Sequence, residues 1–529
     1  MRKFQAIWIL GMLAFALSGA WAQDNSIPPQ STEPAPSGQQ EPAPQNPPQE
    51  PVPAYGQENS PPLVSENPPL SGLDLPSLEP HAAPMSYLQP GVTVSQSVET
   101  NAGNQLGGGG ATSVTRALGS LTLKRLWSHF DLGLDYIGGA GYYTLQGVGF
   151  KSLQQMEIDQ KINWKRGQLS IRDSFSYLPE GNFGGGYGSI GSQGIASLGG
   201  TAFGLFANGS VLGTLGLNPR IVNVSIADIS ENLTPKSAIT AAGGYAFTHF
   251  YGNDPATGTN FIGSSQTSAQ VGYNRSLTSH TQIALVYGYQ GFDFSVEGTA
   301  FHTNIILGMY GHRISGRMDL LLGAGPQFTR IDSQNSVCSD PSIPVILCGS
   351  VSGDTVVPET VKTTNIGVAA QARLRYKFTK STLSLSYQRF ETAGSGFFLG
   401  SQSDIVRLNL DRPLSRVWSA FADLGFSRND HLQTLSAAQQ ATCAYNGQAN
   451  PNNLPLCPGV NADTYYYGFA GAGLHRAFGR DFHGFVSYQF NELAFDQSYC
   501  IPNQPCNRIS NRNLLTFGLD WTPRPIRID

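Results

Sequence analysis

Residues 365–378 read Asn365-Ile366-Gly367-Val368-Ala369-Ala370-Gln371-Ala372-Arg373-Leu374-Arg375-Tyr376-Lys377-Phe378. Ile366, Val368, Ala370, Ala372, Leu374, Tyr376 and Phe378 are all apolar and fall on every second position. Asn365, Gly367, Ala369, Gln371, Arg373, Arg375 and Lys377 fill the positions between them. Successive side chains of a strand point to opposite faces, so a period of two makes this a strand with one apolar face. The segment 154–165 repeats the pattern. Met156, Ile158, Ile162 and Trp164 share one face, and Glu157, Asp159, Lys161, Asn163 and Lys165 share the other. Later segments do the same with Leu383, Leu385 and Tyr387, then Val406, Leu408 and Leu410, then Leu515, Phe517, Leu519 and Trp521.

The connections between such segments alternate in length. Ser128-His129, Arg166-Gly167, Thr278-Ser279-His280, Ser315-Gly316, Thr379-Lys380-Ser381, Ser415-Arg416 and Gly479-Arg480 are tight. The stretches 144–152, 295–300, 332–360, 393–402, 429–462 and 497–510 are longer and polar. Short turns at one end and long loops at the other mark a transmembrane β-barrel. The pattern predicts strands at 91–100, 113–127, 130–143, 154–165, 168–178, 218–229, 236–250, 265–277, 281–294, 301–314, 317–331, 362–378, 382–392, 403–412, 417–428, 463–478, 482–496 and 511–521. The fold class is therefore all-β, a transmembrane antiparallel barrel of about 18 strands. The weakest patterns are 91–100 and 218–229, and without them about 16 strands remain.

Composition agrees. The chain has 529 residues, and only 13% are charged, against about 25% in a soluble protein. Glycine contributes 61 residues. Beyond the first 20 positions there is no apolar run long enough for a membrane helix. The net charge of -4 excludes a generally basic nucleic-acid binder.

Residues 1–22 have the form of a secretory signal peptide. Arg2 and Lys3 precede an apolar core at 7–17, and Ala20-Trp21-Ala22 supplies a small-x-small cleavage site. Residues 23–90 follow as a disordered, Pro-rich periplasmic linker, with 18 prolines and no Lys or Arg. Proline lacks the backbone donor that helices and sheets require, so the expected state is an extended tether, a candidate for contact with the cell wall. The barrel then occupies 91–529. In the long connection 179–217, a glycine-rich opening and an apolar run at 203–215 leave two readings open. It folds into the lumen, or it is a flexible surface loop.

The six cysteines fall in three long connections, none in a predicted strand. Adjacency suggests Cys338 with Cys348, Cys443 with Cys457, and Cys500 with Cys506, in the oxidising compartment that a signal peptide implies. Six cysteines admit fifteen connectivities, so adjacency is the whole argument. Irregular spacing without interleaved histidine speaks against a metal site. No phosphate-binding loop, dinucleotide fingerprint or His-Glu-x-x-His sequence occurs. Tyr187-Gly188-Ser189-Ile190-Gly191 lacks the leading glycine of a hydrolase elbow. His129, His280, His312, His475 and His483 lie near tight turns or strand ends, as interfacial polar residues do. No catalytic residue, cofactor or metal is expected, and the chain does not read as an enzyme.

With the apolar faces toward lipid, the lumen-lining candidates are Lys124, Asp131, Asp135, Glu157, Asp159, Lys161, Lys165, Arg172, Arg373, Arg375, Arg407 and Asp411. Both signs occur, which allows either a transverse field that tunes passage or simple pairing across strands.

Three passages carry a family resemblance. They are Leu414-Ser415-Arg416-Val417-Trp418-Ser419-Ala420, Thr382-Leu383-Ser384-Leu385-Ser386-Tyr387, and Phe517-Gly518-Leu519-Asp520-Trp521-Thr522-Pro523-Arg524-Pro525-Ile526. Over roughly residues 110–529 the chain resembles uncharacterised outer-membrane β-barrel proteins of acidobacterial type. The resemblance implies a fold and a location but no substrate or catalytic residue. The final strand also looks like the signal read by the outer-membrane insertion machinery, although eight residues follow Trp521. The expected function is an outer-membrane channel for small polar solutes, or part of an envelope export path. The rivals are a structural or surface-interaction barrel with an occluded lumen, and an outer-membrane hydrolase. The expected partners are outer-membrane lipids and the insertion machinery, with no nucleic acid.

Overall fold

The computed structural model describes Leu70 and residues 86–101, 109–144, 149–178, 220–251, 263–295, 299–338, 356–392, 400–432, 464–496 and 507–528. These residues form 18 long antiparallel strands. In chain order they are β1 (Tyr87–Thr100), β2 (Ala111–Leu126), β3 (Phe130–Tyr143), β4 (Gly149–Trp164), β5 (Gly167–Leu178), β6 (Arg220–Thr234), β7 (Ser237–Phe250), β8 (Ser264–Ser276) and β9 (Thr281–Phe294). They continue as β10 (Ala300–Ser315), β11 (Met318–Cys338), β12 (Val356–Lys377), β13 (Thr382–Thr392), β14 (Ser401–Pro413), β15 (Trp418–His431), β16 (Thr464–Ala477), β17 (Phe482–Phe495) and β18 (Ile509–Trp521). Each strand pairs with the one before it, and β1 pairs with β18 from Val92↔Trp521 to Glu99↔Leu514. The sheet is therefore a closed ring. Both weakly patterned segments are strands, β1 and β6.

The sequence placed several boundaries differently. Tyr87–Pro90, counted with the linker, already belong to β1 and pair with β2. The tail past Trp521 does not hang free. Ile526–Arg527 form a two-residue strand, β19, on Tyr87 and Leu88 at the foot of the seam. β11 and β12 are longer than their apolar alternation, because their polar outer ends keep pairing with each other as far as Cys338↔Val356. Cys338 thus ends a strand instead of lying in a loop. The other cysteines of the three suggested pairs, the Cys338 side chain and the segment 179–217 lie outside the described residues.

The two faces of the wall differ as the alternation requires. On the outer face Leu285 is 61% exposed, Val271 48% and Leu519 48%. On the inner face Thr93, Ser95, Ser97 and Glu99 of β1 are all buried. No helix among the described residues is long and apolar enough to cross a membrane. A continuous apolar belt of this size has no stable place in water, whereas lipid covers it without cost.

Aromatic rows bound the belt. Near the short turns Trp127, Phe130, Phe378, Trp418, Phe478, Phe482 and Trp521 are exposed outward. Arg476 lies over both Trp418 and Phe478, at 5.2 and 5.0 Å from the ring centroids. Toward the long loops, Tyr287 donates to Asn304, Tyr387 to Asp404 and Tyr488 to Asn513, each at 2.7 Å. Rings in the apolar belt with hydroxyls on polar partners above it are what an interfacial girdle requires.

The belt generates a test. Leu285→Lys places a charge on the lipid face about midway along β9 and should destabilise the barrel by about 2–4 kcal/mol. Gln155→Lys, on the inner face of β4, should change stability by less than about 0.5 kcal/mol. Denaturant unfolding of the vesicle-inserted protein compares the two. Equal losses would mean that the faces are assigned wrongly.

Candidate functional site: the charged lumen wall

Register brings the charged side chains together in the half of the lumen nearest the short turns. Asp135 of β3 stands opposite Glu157 of β4, and Asp159 of β4 opposite Arg172 of β5. Thr122 donates to Asp135 at 2.6 Å. Lys161 lies 3.6 Å from Asp159, and Ser170 donates to Asp159 at 3.3 Å. Arg172 reaches across to Asp228 of β6 at 2.6 Å. Asp131 accepts from Asn163 at 3.4 Å. Lys124 occupies the same face at the foot of β2, opposite Gly133.

A second charged wall spans β11–β15. Asp319 of β11 is held between two guanidinium groups, Arg375 at 2.9 Å and Arg373 at 3.9 Å. Arg407 of β14 forms a two-pronged contact with Asp423 of β15, at 3.1 and 2.5 Å. Asp411 lies lower on the same face of β14, between Thr382 and Phe421 in the register. In a ring of 18, β3–β5 and β12–β14 are seven to nine strands apart by the shorter way round and so face each other across the barrel. Lys165 is the exception among the candidates. It is exposed in the turn between β4 and β5 and takes no place in the wall.

The carboxylates that pair with these arginines were not singled out from the sequence. Asp319 precedes Leu320, Leu321 and Leu322, where apolar residues on both faces blur the alternation. Asp228 sits beside Ala227 and Ile229 in a segment with the same defect. Glu99 was more legible, because Val92, Val94 and Val98 set the opposite face. It forms a buried ion pair with Arg512 across the β1–β18 seam, with side chains 0% and 3% exposed.

Between the two walls, the lumen face of β6–β12 is of another kind. Val222, Val224, Ile226, Ala246, Ala284, Val286, Ile305, Leu307, Met309, Leu321 and Ala369 form one buried cluster. Phe292, Phe301 and Ile331 form a second. A ring of 18 strands is too wide for its wall to bury its own inner face. Leu70, from the segment read as a tether, packs in the first cluster. Its side chain is 5% exposed, and its N–H donates to Asn274 at 3.1 Å. Gly311 makes the contact possible, since a Cβ there would come within 2.8 Å of both Leu70 methyl carbons. The contact has a physical reason. Proline-rich chain cannot join a sheet, but an apolar side chain within it is still driven to an apolar wall.

Among the described residues, no group of three or more His, Cys, Asp or Glu side chains is arranged to hold a metal ion. No protein-family model matches the chain, and no curated protein matches it. Solved structures do. One is OccK2 of Pseudomonas aeruginosa, 9% identical, with 82% of this chain on 98% of that one and a TM-score of 0.36. Another is OprD of P. aeruginosa, 9% identical, with 83% on 95% and a TM-score of 0.36. A third is the ferric-catecholate import receptor Fiu of E. coli K12, 8% identical, with 86% on 85% and a TM-score of 0.37. At such loose superposition the functional reading rests on the barrel's own wall.

The seam pair offers a direct test. Glu99→Gln leaves the Arg512 guanidinium buried without its carboxylate and should cost about 3–5 kcal/mol. The double change Glu99→Met with Arg512→Leu removes both charges and should recover most of that loss. Unfolding midpoints of the three proteins decide it. Equal loss in the single and double variants would show that the pair contributes shape alone.

Proposed function

We propose that the chain is an outer-membrane channel that passes small polar solutes by an off-centre water path. One observation carries the reading. The lumen is divided into a buried, nearly uncharged arc on β6–β12, where an apolar cluster lies among neutral polar side chains such as Gln266, Gln270 and Asn274, and partly exposed charged walls on β2–β5 and β12–β15. Water and polar solutes follow the charged walls, where ions and dipoles replace lost hydration. In the short-turn half, the β2–β6 wall has five carboxylates, Asp131, Asp135, Glu157, Asp159 and Asp228, against three cations, Lys124, Lys161 and Arg172. The opposite wall has four cations, Arg373, Arg375, Lys377 and Arg407, against Asp319, Asp411 and Asp423. The small excesses have opposite signs and face each other. They orient a dipolar solute while favouring neither anions nor cations strongly.

A signal peptide at 1–22, short turns toward the periplasm and the apolar belt support an outer-membrane location, reached through the insertion machinery and held by outer-membrane lipids. The resemblance to barrels of acidobacterial type belongs to the same reading, as does contact of the 23–90 segment with the cell wall. A second reading has its own support. Leu70 and the covered arc favour a barrel whose lumen is closed at rest.

Planar-bilayer recording separates the two. The full-length protein should give small ohmic steps, and Leu70→Asp, which puts a charge into the apolar cluster, should enlarge them. Asp319→Asn leaves Arg373 and Arg375 without their shared carboxylate. It should move the reversal potential in a salt gradient toward the anion side. A folded barrel that stays silent both as wild type and as Leu70→Asp would overturn the channel reading in favour of the closed one.

A further inference from the structure

Beyond Arg389, β13 leaves β12. Their register runs from Lys377↔Thr382 to Ala370↔Arg389 and stops. β13 stays paired with β14 through Glu391↔Gln402 and Thr392↔Ser401. The freed end turns into the barrel, where Phe390, Glu391 and Thr392 are all buried. Gly400, at φ 75°, brings the returning chain against the Phe301 ring.

Glu391 thereby reaches the inner face of β10 and β11. Thr303 donates its hydroxyl to one carboxylate oxygen and Thr329 to the other. The Gln327 side chain also hydrogen-bonds the carboxylate. Glu391 is 2% exposed, and Thr303, Thr329 and Gln327 are 1% or less. All three partners are neutral, and among the described residues no Lys, Arg or His joins them. Gln327 carries a further deficit, because its buried Oε1 has no hydrogen-bond partner.

An ionised carboxylate out of water needs a counter-charge, and a buried carbonyl oxygen needs a donor or a cation. One positive ion among these groups answers both needs. We propose that Glu391, Thr303, Thr329 and Gln327 form a binding site for a hard divalent cation of the calcium class inside the lumen. Every donor is oxygen, which selects hard ions over zinc or copper. Each threonine hydroxyl keeps lone pairs after donating its proton. A single carboxylate among neutral oxygens suits weak, millimolar-range binding. The bound ion ties the inturned end of β13 to the β10–β11 wall and so fixes the aperture at that level.

Calcium titration of the full-length, detergent-folded protein after chelator treatment tests the site by calorimetry. Wild type should bind with a Kd of about 10⁻⁴–10⁻³ M. Glu391→Gln, which keeps the shape and removes the charge, should abolish that binding. Gln327→Leu, which keeps the carboxylate and both threonines, should weaken it about tenfold. Glu157→Gln, on the far wall, should leave it unchanged. Heat-modifiable migration checks that each variant is folded. No calcium heat in wild type, or the same isotherm in Glu391→Gln, overturns the proposal and leaves Glu391 holding a proton. If Glu391→Gln does not fold, unchanged affinity in Gln327→Leu overturns it.

Discussion

Hydrocarbon offers no hydrogen bonds to a peptide group, so every N–H and C=O within the belt must find a partner in the chain itself. For strands that condition is met only by a closed ring. The seam between β1 and β18 is therefore the contact on which the rest depends, and it joins residues more than 400 positions apart. Several polar contacts reinforce it on the lumen side. Ser97 bonds Thr516 at 2.9 Å, and Thr93 donates to Asp520 at 2.8 Å. Arg116, from the neighbouring strand, donates to Ser97 at 2.8 Å. The Glu99–Arg512 pair lies in the same row, and β19 extends the ladder at the foot. Closure so distant in sequence comes late in folding, since it must overcome the largest loop entropy. Side-chain bonds along the seam favour the one register that aligns them.

Closure also separates the chemistry of the two faces. The outer face is constrained by lipid to be apolar, with Tyr and Trp at its edges. The inner face is free to vary, and it does so by arc. Arginine–carboxylate pairs such as Arg172–Asp228 and Arg407–Asp423 keep charge in the wall at low net field. Between these pairs, on β6–β12, valine, isoleucine and leucine in lumen positions would be costly beside open water. Their burial shows that the lumen is not uniformly wet. Leu70 ties the two observations together, since it packs on the apolar arc within reach of the charged wall that holds Arg373 and Asp319.

The strand number and facing were legible because lipid imposes a strict period of two. Met156, Ile158, Ile162 and Trp164 cannot all be outward in any other register. Pairing partners were less legible. Whether Arg375 finds Asp319 depends on which residue a neighbouring strand presents, and stagger between strands is not written in either strand alone. The apolar arc hid for a different reason. In β6 the inward Val222, Val224 and Ile226 alternate with Ile221 and Ile229 outward, so hydrophobicity no longer distinguishes the faces. Leu70 was hidden by its surroundings, since proline content speaks for the backbone and says nothing of where one leucine packs. In sequence Glu391 is one more residue of an alternating strand, because the departure of β13 from β12 is a tertiary event.

That departure also obeys the closure rule. Arg389 and Ala370 stand eight or nine residues above the β12–β13 turn. At about 3.3 Å per residue and a tilt of about 40°, that is roughly 20–25 Å. An apolar band about 25 Å tall ends near there. The outward side chains mark the same level, since Tyr387 and Arg389 both meet Asp404, at 2.7 and 3.4 Å. Above it, Ile366 and Val368 lose their β13 neighbours and become 70% and 54% exposed. Below that height a strand that abandoned its partner would strand peptide groups in hydrocarbon. Above it water and headgroups satisfy them, so β13 is free to turn inward. The membrane thickness thus sets where the wall must stay sealed. It also sets the lowest level at which the barrel can shape its own opening.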